Sequence, residues 1–367
     1  MRRACKVSLK FATRKKRRAV AALLQSYRAA VNFFLRSLWD HPGGLDAATL
    51  ARLGQTRLSQ RYKSQALRQA LEMVSATRKS AMVLGVEPSC PVFTGAAVLD
   101  GKFVLIEEGH GSFDLVVRLS RLKAGSRLTI PTRKTAILKK WLTKPLAKLV
   151  QGCALSETGI ILWVELPDLP PKEEGDILAV DIGVNKLVSD SEGNHYGTEF
   201  KAVRDRVRRR KPGSRGRARA CRQRVNFINR VLKQLPWGRL KVIGHEALHD
   251  LKRGKRKSRN KAFRKAISPW TYRLVLTRID QLAQENRVRP VSYDPRNTSR
   301  ECPACGTVSK DNRKGERFCC QSCGHADDAD TVGARNGFVR TLATLGSVES
   351  PRLPKALAVA LRQTPTH

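Results

Sequence analysis

Polar and apolar residues alternate over Lys6-Val7-Ser8-Leu9-Lys10-Phe11, a period of two that predicts a strand. From residue 15 to 85 the period lengthens. Ala19, Leu23, Leu24, Tyr27 and Val31 fall on one helical face, and Leu67, Ala70, Leu71 and Val74 repeat that spacing. This predicts an ordinary helical bundle with basic residues on its outer faces. Between 91 and 168 short β-rich runs return: Pro91 to Phe93, Phe103 to Ile106, Phe113 to Val117, Leu128 to Ile130 and Ile160 to Val164, separated by Gly and Ser turns. They predict a small antiparallel barrel or sheet that also takes the first strand, with the helices as an insertion.

The Pro-rich, charged stretch from Leu169 to Gly175 reads as a domain boundary. After it, Ile177 to Val180 predicts a buried strand ending in Asp181-Ile182-Gly183, and Leu240 to Ile243 a second that ends at Glu246. Ser268-Pro269 supplies a cap and a first-turn proline for a helix carrying Tyr272, Val275, Leu276, Ile279, Leu282 and Ala283 at helical spacing. Val288 to Asp294 predicts one more strand, and Ala329 to Leu345 a closing helix. Strands alternating with helices make this half α/β, interrupted by a cysteine-rich insert.

Charge changes the picture most. The 367 residues hold 71 Lys and Arg against 31 Asp and Glu, a net charge of +40 that calls for a polyanionic partner. An anionic membrane is the rival to nucleic acid, but no apolar run approaches the roughly 20 residues of a membrane span, and the basic N-terminus leads into no signal core. A cytoplasmic location is expected. Two basic runs, Arg204 to Arg224 and Lys252 to Lys257, are candidate phosphate contacts, foremost Arg208, Arg209, Arg210, Lys211, Arg215, Lys255, Arg256 and Lys257. Such runs also occur as plain solvated segments.

Of nine cysteines, Cys5, Cys90, Cys153 and Cys221 are isolated and read as reduced thiols, whereas five crowd together. Cys302-Pro303-Ala304-Cys305 and Cys320-Gln321-Ser322-Cys323 are C-x-x-C knuckles, each followed by a glycine, Gly306 or Gly324. That spacing lets both thiolates of a knuckle reach one tetrahedral ion, and the glycine permits the tight turn, so a closed structural zinc site is expected. Cys319 is the alternative to Cys320, at the poorer C-x-x-x-C spacing.

Three acids stand out by position. Asp181 and Glu246 end strands, and Asp330 opens the last helix beside Asp327 and Asp328. Two-metal phosphodiester hydrolysis needs about three carboxylates converging on Mg²⁺ ions roughly 4 Å apart. Taken singly, each also fits a plainer role: Asp181 a turn former, Glu246 a surface charge, Asp330 an acid favoured by a helix dipole.

Taken together these segments resemble a known family, the TnpB proteins of transposons and their relatives, the compact type V CRISPR effectors. Val180 to Leu187 with Glu192-Gly193 is similar to the first RuvC motif, and Val242 to Leu248 to the second. Trp270-Thr271-Tyr272 and Asp294 to Gly306 are similar to the lead into the zinc ribbon, and Asp328-Ala329-Asp330 with Ala334-Arg335-Asn336 to the third motif. The likeness covers residues 177 to 340; the first half matches only in layout, in the early strand and in Asn32.

The resemblance implies an α/β RuvC nuclease domain built like RNase H, with an inserted zinc ribbon, preceded by a β-rich wedge domain carrying a helical insertion. The corresponding bounds are 1–14 and 91–170 for the wedge, 15–90 for the helical recognition insert, 171–300 for the first part of the nuclease domain, 301–325 for the ribbon, 326–345 for the last helix and 346–367 for a tail. It implies Asp181, Glu246 and Asp330 as a magnesium-holding catalytic triad, a guide RNA, and cleavage of target DNA beside a short adjacent motif. The sequence departs from the family pattern at Ala247, at Val332-Gly333, and in a shortened segment before Glu246. Three other functions are weighed against an RNA-guided endonuclease: an RNA-guided DNA-binding repressor, which loss of an acid would have favoured, a non-enzymatic zinc-ribbon RNA-binding protein, and a strand-transfer transposase.

Overall fold

The computed structural model describes residues 1–41, 58–120, 127–247 and 269–346. The chain divides into two compact units, Met1–Asp168 and Leu169–His367.

In the first unit, β1 (Arg2–Ser8) pairs antiparallel with β7 (Gly159–Glu165) over its whole length, Arg2 opposite Glu165 and Ser8 opposite Gly159. With β6 (Lys148–Ser156) and β2 (Ala97–Asp100) they make a four-stranded sheet in the order β1-β7-β6-β2. A second antiparallel sheet is a meander of β3 (Val104–Glu108), β4 (Leu115–Ser120) and β5 (Arg127–Thr132). Two long helices, α1 (Arg14–Asp40) and α2 (Gln60–Leu84), pack on each other. Thr13 caps the first through its hydroxyl, and the second ends at Gly85 in the left-handed conformation (φ 62°). A short α3 (Ala136–Leu142) follows the meander.

The helical periodicity is realised with one exception. Leu23, Leu24, Tyr27, Val31, Ala70 and Val74 are buried, but Leu71 is 49% exposed. It lies one position round from Ala70, outside the packed stripe. The first strand starts and ends earlier than its alternation predicts, because Leu9 to Ala12 form a turn closed by the Ala12 N–H on the Leu9 carbonyl, 3.0 Å. Pro91 to Phe93 is no strand either. Asn32 of α1 takes the place of a neighbouring strand, accepting from the Phe93 N–H (2.7 Å) and donating to the Phe93 carbonyl (2.9 Å).

The second unit is built on a mixed five-stranded sheet in the order β10-β9-β8-β11-β12. Its members are β8 (Asp176–Ile182), β9 (Val188–Asp190), β10 (His195–Tyr196), β11 (Leu240–Glu246) and β12 (Arg289–Tyr293). The central strand β8 runs parallel to β11, which runs parallel to β12, while β9 and β10 fold back antiparallel. Apolar residues occupy the middle of β8 and β11, where Leu178, Ala179, Val180 and Ile243 are fully buried. Between β10 and β11 run α4 (Phe200–Arg208) and α5 (Arg215–Leu232); between β11 and β12 comes α6 (Pro269–Glu285). The basic stretch from Arg204 to Arg224 is therefore helical on either side of a turn at 209–214, and the apolar residues of the two helices (Val207, Ala220, Phe227, Ile228) are turned inward. The closing helix α7 (Ala329–Thr344) lies on the sheet against β8, β9, β11 and β12.

That last contact is possible because two glycines leave room. A Cβ on Gly244 of β11 would lie 1.9 Å from Oγ1 of Thr341, and one on Gly337 of α7 would lie 2.3 Å from the hydroxyl of Tyr293. The Tyr293 hydroxyl in turn donates to the carbonyl of Val180 (3.1 Å). Among the described residues no helix is long and apolar enough to cross a membrane.

Candidate functional site

Parallel strands β8 and β11 end side by side, with His245 of one opposite Val180 of the other. Asp181 is the next-to-last residue of β8 and Glu246 the last of β11. Asp330 comes from the first turn of α7, where Asp328 is the N-cap and accepts from the N–H groups of Asp330 (3.0 Å) and Thr331 (3.2 Å). The cap fixes the helix start, and with it the direction of Asp330.

The three carboxylates face one another electrostatically. Burial, then the charge of Asp330, push the Asp181 carboxyl up to about 6. Burial, the Asp181 charge and a hydrogen bond with Asp181 hold Glu246 well above the usual carboxylate range. The Tyr272 hydroxyl, buried against Glu246, Asp181 and Asp330, is raised by that burial and by those three charges, and donates to the Ile182 carbonyl. Among the described residues the cation in direct contact with the acids is Arg313, 3.1 Å from Asp330. Asp181, raised by burial and by Asp330, and Glu246, raised by burial and by Asp181, are oxygen donors short of positive charge, which suits a hard divalent cation.

Gly333 belongs to this site. A Cβ there would approach the Asp181 carboxylate to 3.3 Å, so the departure from the family pattern at this position leaves Asp181 room beside the helix. Val332, the other departure, is fully buried and packs in the small core beneath the ribbon. Ala247 follows Glu246 and ties β11 to β12 through its N–H on the Tyr293 carbonyl, 2.7 Å.

Between β12 and α7 the chain makes a separate three-stranded sheet of β13 (Arg313–Lys314), β14 (Arg317–Cys319) and β15 (Ala326–Asp328). The sulfurs of Cys302, Cys305, Cys320 and Cys323 all lie within 4.8 Å of one another. Cys302 and Cys323 are 3.6 Å apart and Cys305 and Cys320 3.5 Å, close to the edge of about 3.8 Å expected of four thiolates around zinc. Gly306 and Gly324 adopt φ of 77° and 74°, and their N–H groups return to the carbonyls of Cys302 and Cys320. Cys319, the last residue of β14, is exposed and stands outside the cluster, whereas its neighbour Cys320 is buried and belongs to it. The arrangement is compatible with a structural zinc. Among the described residues it is the only group of three or more His, Cys, Asp or Glu side chains drawn that close. The three acids are not drawn together as tightly.

Several residues that hold these sites carry no motif. Asn312, 1% exposed, joins the knuckles by donating to the carbonyls of Arg300 and Thr307 and accepting from the Gln321 N–H. Asn336 donates to the carbonyls of Thr298 and Glu301, and Arg340 binds the carbonyls of Asp294 and Arg296 and the carboxylate of Glu301, so α7 clasps the start of the insert. Lys186, 2.6 Å from Asp328, pins its end to the turn after β8.

Of the expected phosphate contacts, Arg208, Arg209, Arg210, Lys211 and Arg215 are exposed at the end of α4 and the start of α5. Lys255, Arg256 and Lys257 lie outside the described residues, as does Asp250.

Comparison with known proteins bears on this same region. Residues 272–337 match the Cas12f1-like TNB domain family. A curated relative, the CRISPR-associated endodeoxyribonuclease Cas12f1 of Sulfoacidibacillus thermotolerans, is 37% identical over 71 residues, 19% of this chain and 17% of the relative. The matched stretch is thus under a fifth of that protein. Among solved structures, the protein of a Cas12f1–sgRNA–target DNA complex superimposes with a TM-score of 0.51 at 13% identity, over 88% of this chain and 81% of that one, a likeness of fold. The findings support the resemblance read from the motifs, that of a compact, TnpB-like type V effector. The matched stretch 272–337 holds the four cysteines, Arg313 and Asp330.

Proposed function

We propose that this chain is an RNA-guided, magnesium-dependent DNA endonuclease of the RuvC type, cutting target DNA beside a short adjacent motif, with Asp181, Glu246 and Asp330 as its catalytic acids. The observation that carries the reading is the meeting of these three carboxylates, from two strand ends and a helix start, where burial and mutual repulsion raise Asp181 and Glu246. The Cas12f1-like TNB match and the fold likeness to the Cas12f1 complex support it, as does the +40 charge. The finer architecture of the reading follows the family: residues 1–14 and 91–170 as wedge, 15–90 as recognition insert, 171–300 and 326–345 as nuclease core, 301–325 as zinc ribbon.

In this mechanism Asp181, Glu246 and Asp330 would hold the divalent ions. When bound, magnesium would supply an activated water and neutralise charge on the scissile phosphate. Arg313 holds Asp330 in place, and Tyr272 and Tyr293 fix the ends of β8 by donating to the Ile182 and Val180 carbonyls. The ribbon cysteines hold structure and take no part in the chemistry.

The test is cleavage of a DNA matching the RNA that co-purifies with the full chain. Wild type should cut in Mg²⁺ and not in EDTA, and Asp181→Ala, Glu246→Ala or Asp330→Ala should each nearly abolish cutting while keeping target binding. Wild-type binding without cutting would leave a guided repressor, and heterogeneous RNA with no guided binding would leave a ribbon protein that binds RNA by charge.

A further inference from the structure

Immediately beyond Asp181, Ile182 and Gly183 open onto a cavity of about 160 Å³. Its floor is apolar, with Phe200, Val207 and Val275 all buried. Its walls carry four guanidinium groups, those of Arg204, Arg208, Arg217 and Arg224, and among the described residues no carboxylate lines it. Asp205, 3.5 Å from Arg208 and 4.0 Å from Arg204, answers part of that charge from outside the lining. Arg224 is only 7% exposed, and burial and then the nearby Arg217 lower its pKa. Four like charges gathered around an apolar hollow repel one another, and the buried Arg224 is poorly solvated, so an anion that enters is favoured.

The rest of the lining says which anion. Arg204 is held in place by donating to the Val184 carbonyl (2.9 Å), and Arg217 by donating to the carbonyls of Val207 (3.3 Å) and Arg210 (3.1 Å). These are preorganised donors on a fixed frame, the condition for recognising a phosphate by its shape. Inorganic phosphate alone would leave the apolar floor unused. A hollow of this size with cations above and hydrocarbon below suits one nucleotide, its phosphate on the guanidinium groups and its base or sugar on Phe200 and Val207.

We propose that this cavity binds a single nucleotide unit of a polynucleotide strand and so positions the strand for the acids at the end of β8. The inference rests on the nuclease reading for its purpose, but the binding itself does not. Arg204, Arg208, Arg217 and Arg224 are positioning residues.

The test uses the full chain, freed of RNA in high salt, in EDTA so that no cleavage occurs. Binding of 5′-dTMP, thymidine and inorganic phosphate is followed by ligand-observed NMR titration. The nucleotide should bind tighter than either part alone. Arg204→Gln and Arg208→Gln should each weaken it by about ten-fold, with Arg204→Lys recovering part of the loss. Lys233→Gln, an exposed change just past α5 and outside both basic runs and the lining, should leave it within about two-fold. Arg208 is exposed, so its variant folds even where Arg204→Gln does not. Phosphate binding as well as dTMP would overturn the proposal, as would equal weakening by Lys233→Gln or indifference to both pocket substitutions. Guided cleavage assayed separately in Mg²⁺ tells the two ideas apart. Nucleotide binding that depends on these arginines in a chain that cuts nothing keeps the pocket and removes the nuclease. Cutting with arginine-independent nucleotide binding does the reverse.

Discussion

Arg313 donates from Nη2 to Oδ1 of Asp330 across 3.1 Å, and so a strand of the cysteine ribbon reaches the acids at the end of the sheet. The same guanidinium lowers both Asp181 and Glu246 against the burial that raises them. Arg313→Gln should therefore move the Asp181 carboxyl above its present value of about 6 and carry Glu246 further up. A carboxyl NMR titration of metal-free protein reads this directly. Unchanged titration of both groups would show that Arg313 does no more than tie the ribbon down.

The raised carboxyls set a pH dependence of stability whose sign is fixed. A carboxyl with a folded-state pKa above its unfolded value holds its proton more tightly in the native state, so stability is greatest at low pH and is lost as pH rises through the folded value. For Asp181 that window runs from about 4 to about 6. Without divalent metal, Asp181→Asn should thus gain on the order of 2–3 kcal/mol at pH 7 and nothing near pH 4. Thermal unfolding in EDTA across this range checks it, and magnesium should stabilise the wild type and not the variant.

Zinc content separates neighbouring cysteines. Cys320→Ser should release the ion and loosen the region, because the core beneath it is small: Phe318, Ala329 and Val332 with the two buried cysteines Cys302 and Cys320. Cys319→Ser should keep one zinc per chain. Metal analysis of both purified variants decides between them, and loss of zinc from Cys319→Ser alone would exchange the two residues.

Space rather than charge governs the seat of the last helix. With Gly244 so close to Thr341 that a methyl group would overlap its hydroxyl, Gly244→Ala should cost about 1–3 kcal/mol and tilt α7 off the sheet. Because α7 carries Asp330, the variant should lose metal binding out of proportion to its stability. The double change Gly244→Ala with Thr341→Ala should recover much of both, as measured by thermal unfolding and Mg²⁺ titration.

Much of this was legible in the sequence because the informative features are local. A buried run ending in an acid marks a strand end, and C-x-x-C followed by Gly marks a turn with two thiolates. Asp181, Glu246 and the four cysteines stand out in this way. The supporting residues were not, because their partners are distant in the chain: Asn312 works across a loop, Arg313 serves an acid beyond the cluster, and Asn32 holds Phe93 where alternation predicted a strand. Gly333 read as a departure from a pattern and is instead the space that Asp181 needs. The pocket arginines were visible only as a charge run, since nothing in the run says that Arg204, Arg217 and Arg224 turn toward one hollow.

The order in which the acids occur along the chain has a consequence for biosynthesis. Asp181 and Glu246 leave the ribosome while the ribbon and α7 are still unmade, and Asp330 follows only about eighty residues after Glu246. Until α7 emerges and settles on the sheet, two acids stand without the third, and Arg313 has no Asp330 to hold. A nascent chain, or one cut short ahead of residue 329, cannot assemble the site, so whatever reaction the three carboxylates perform is withheld from every incomplete copy.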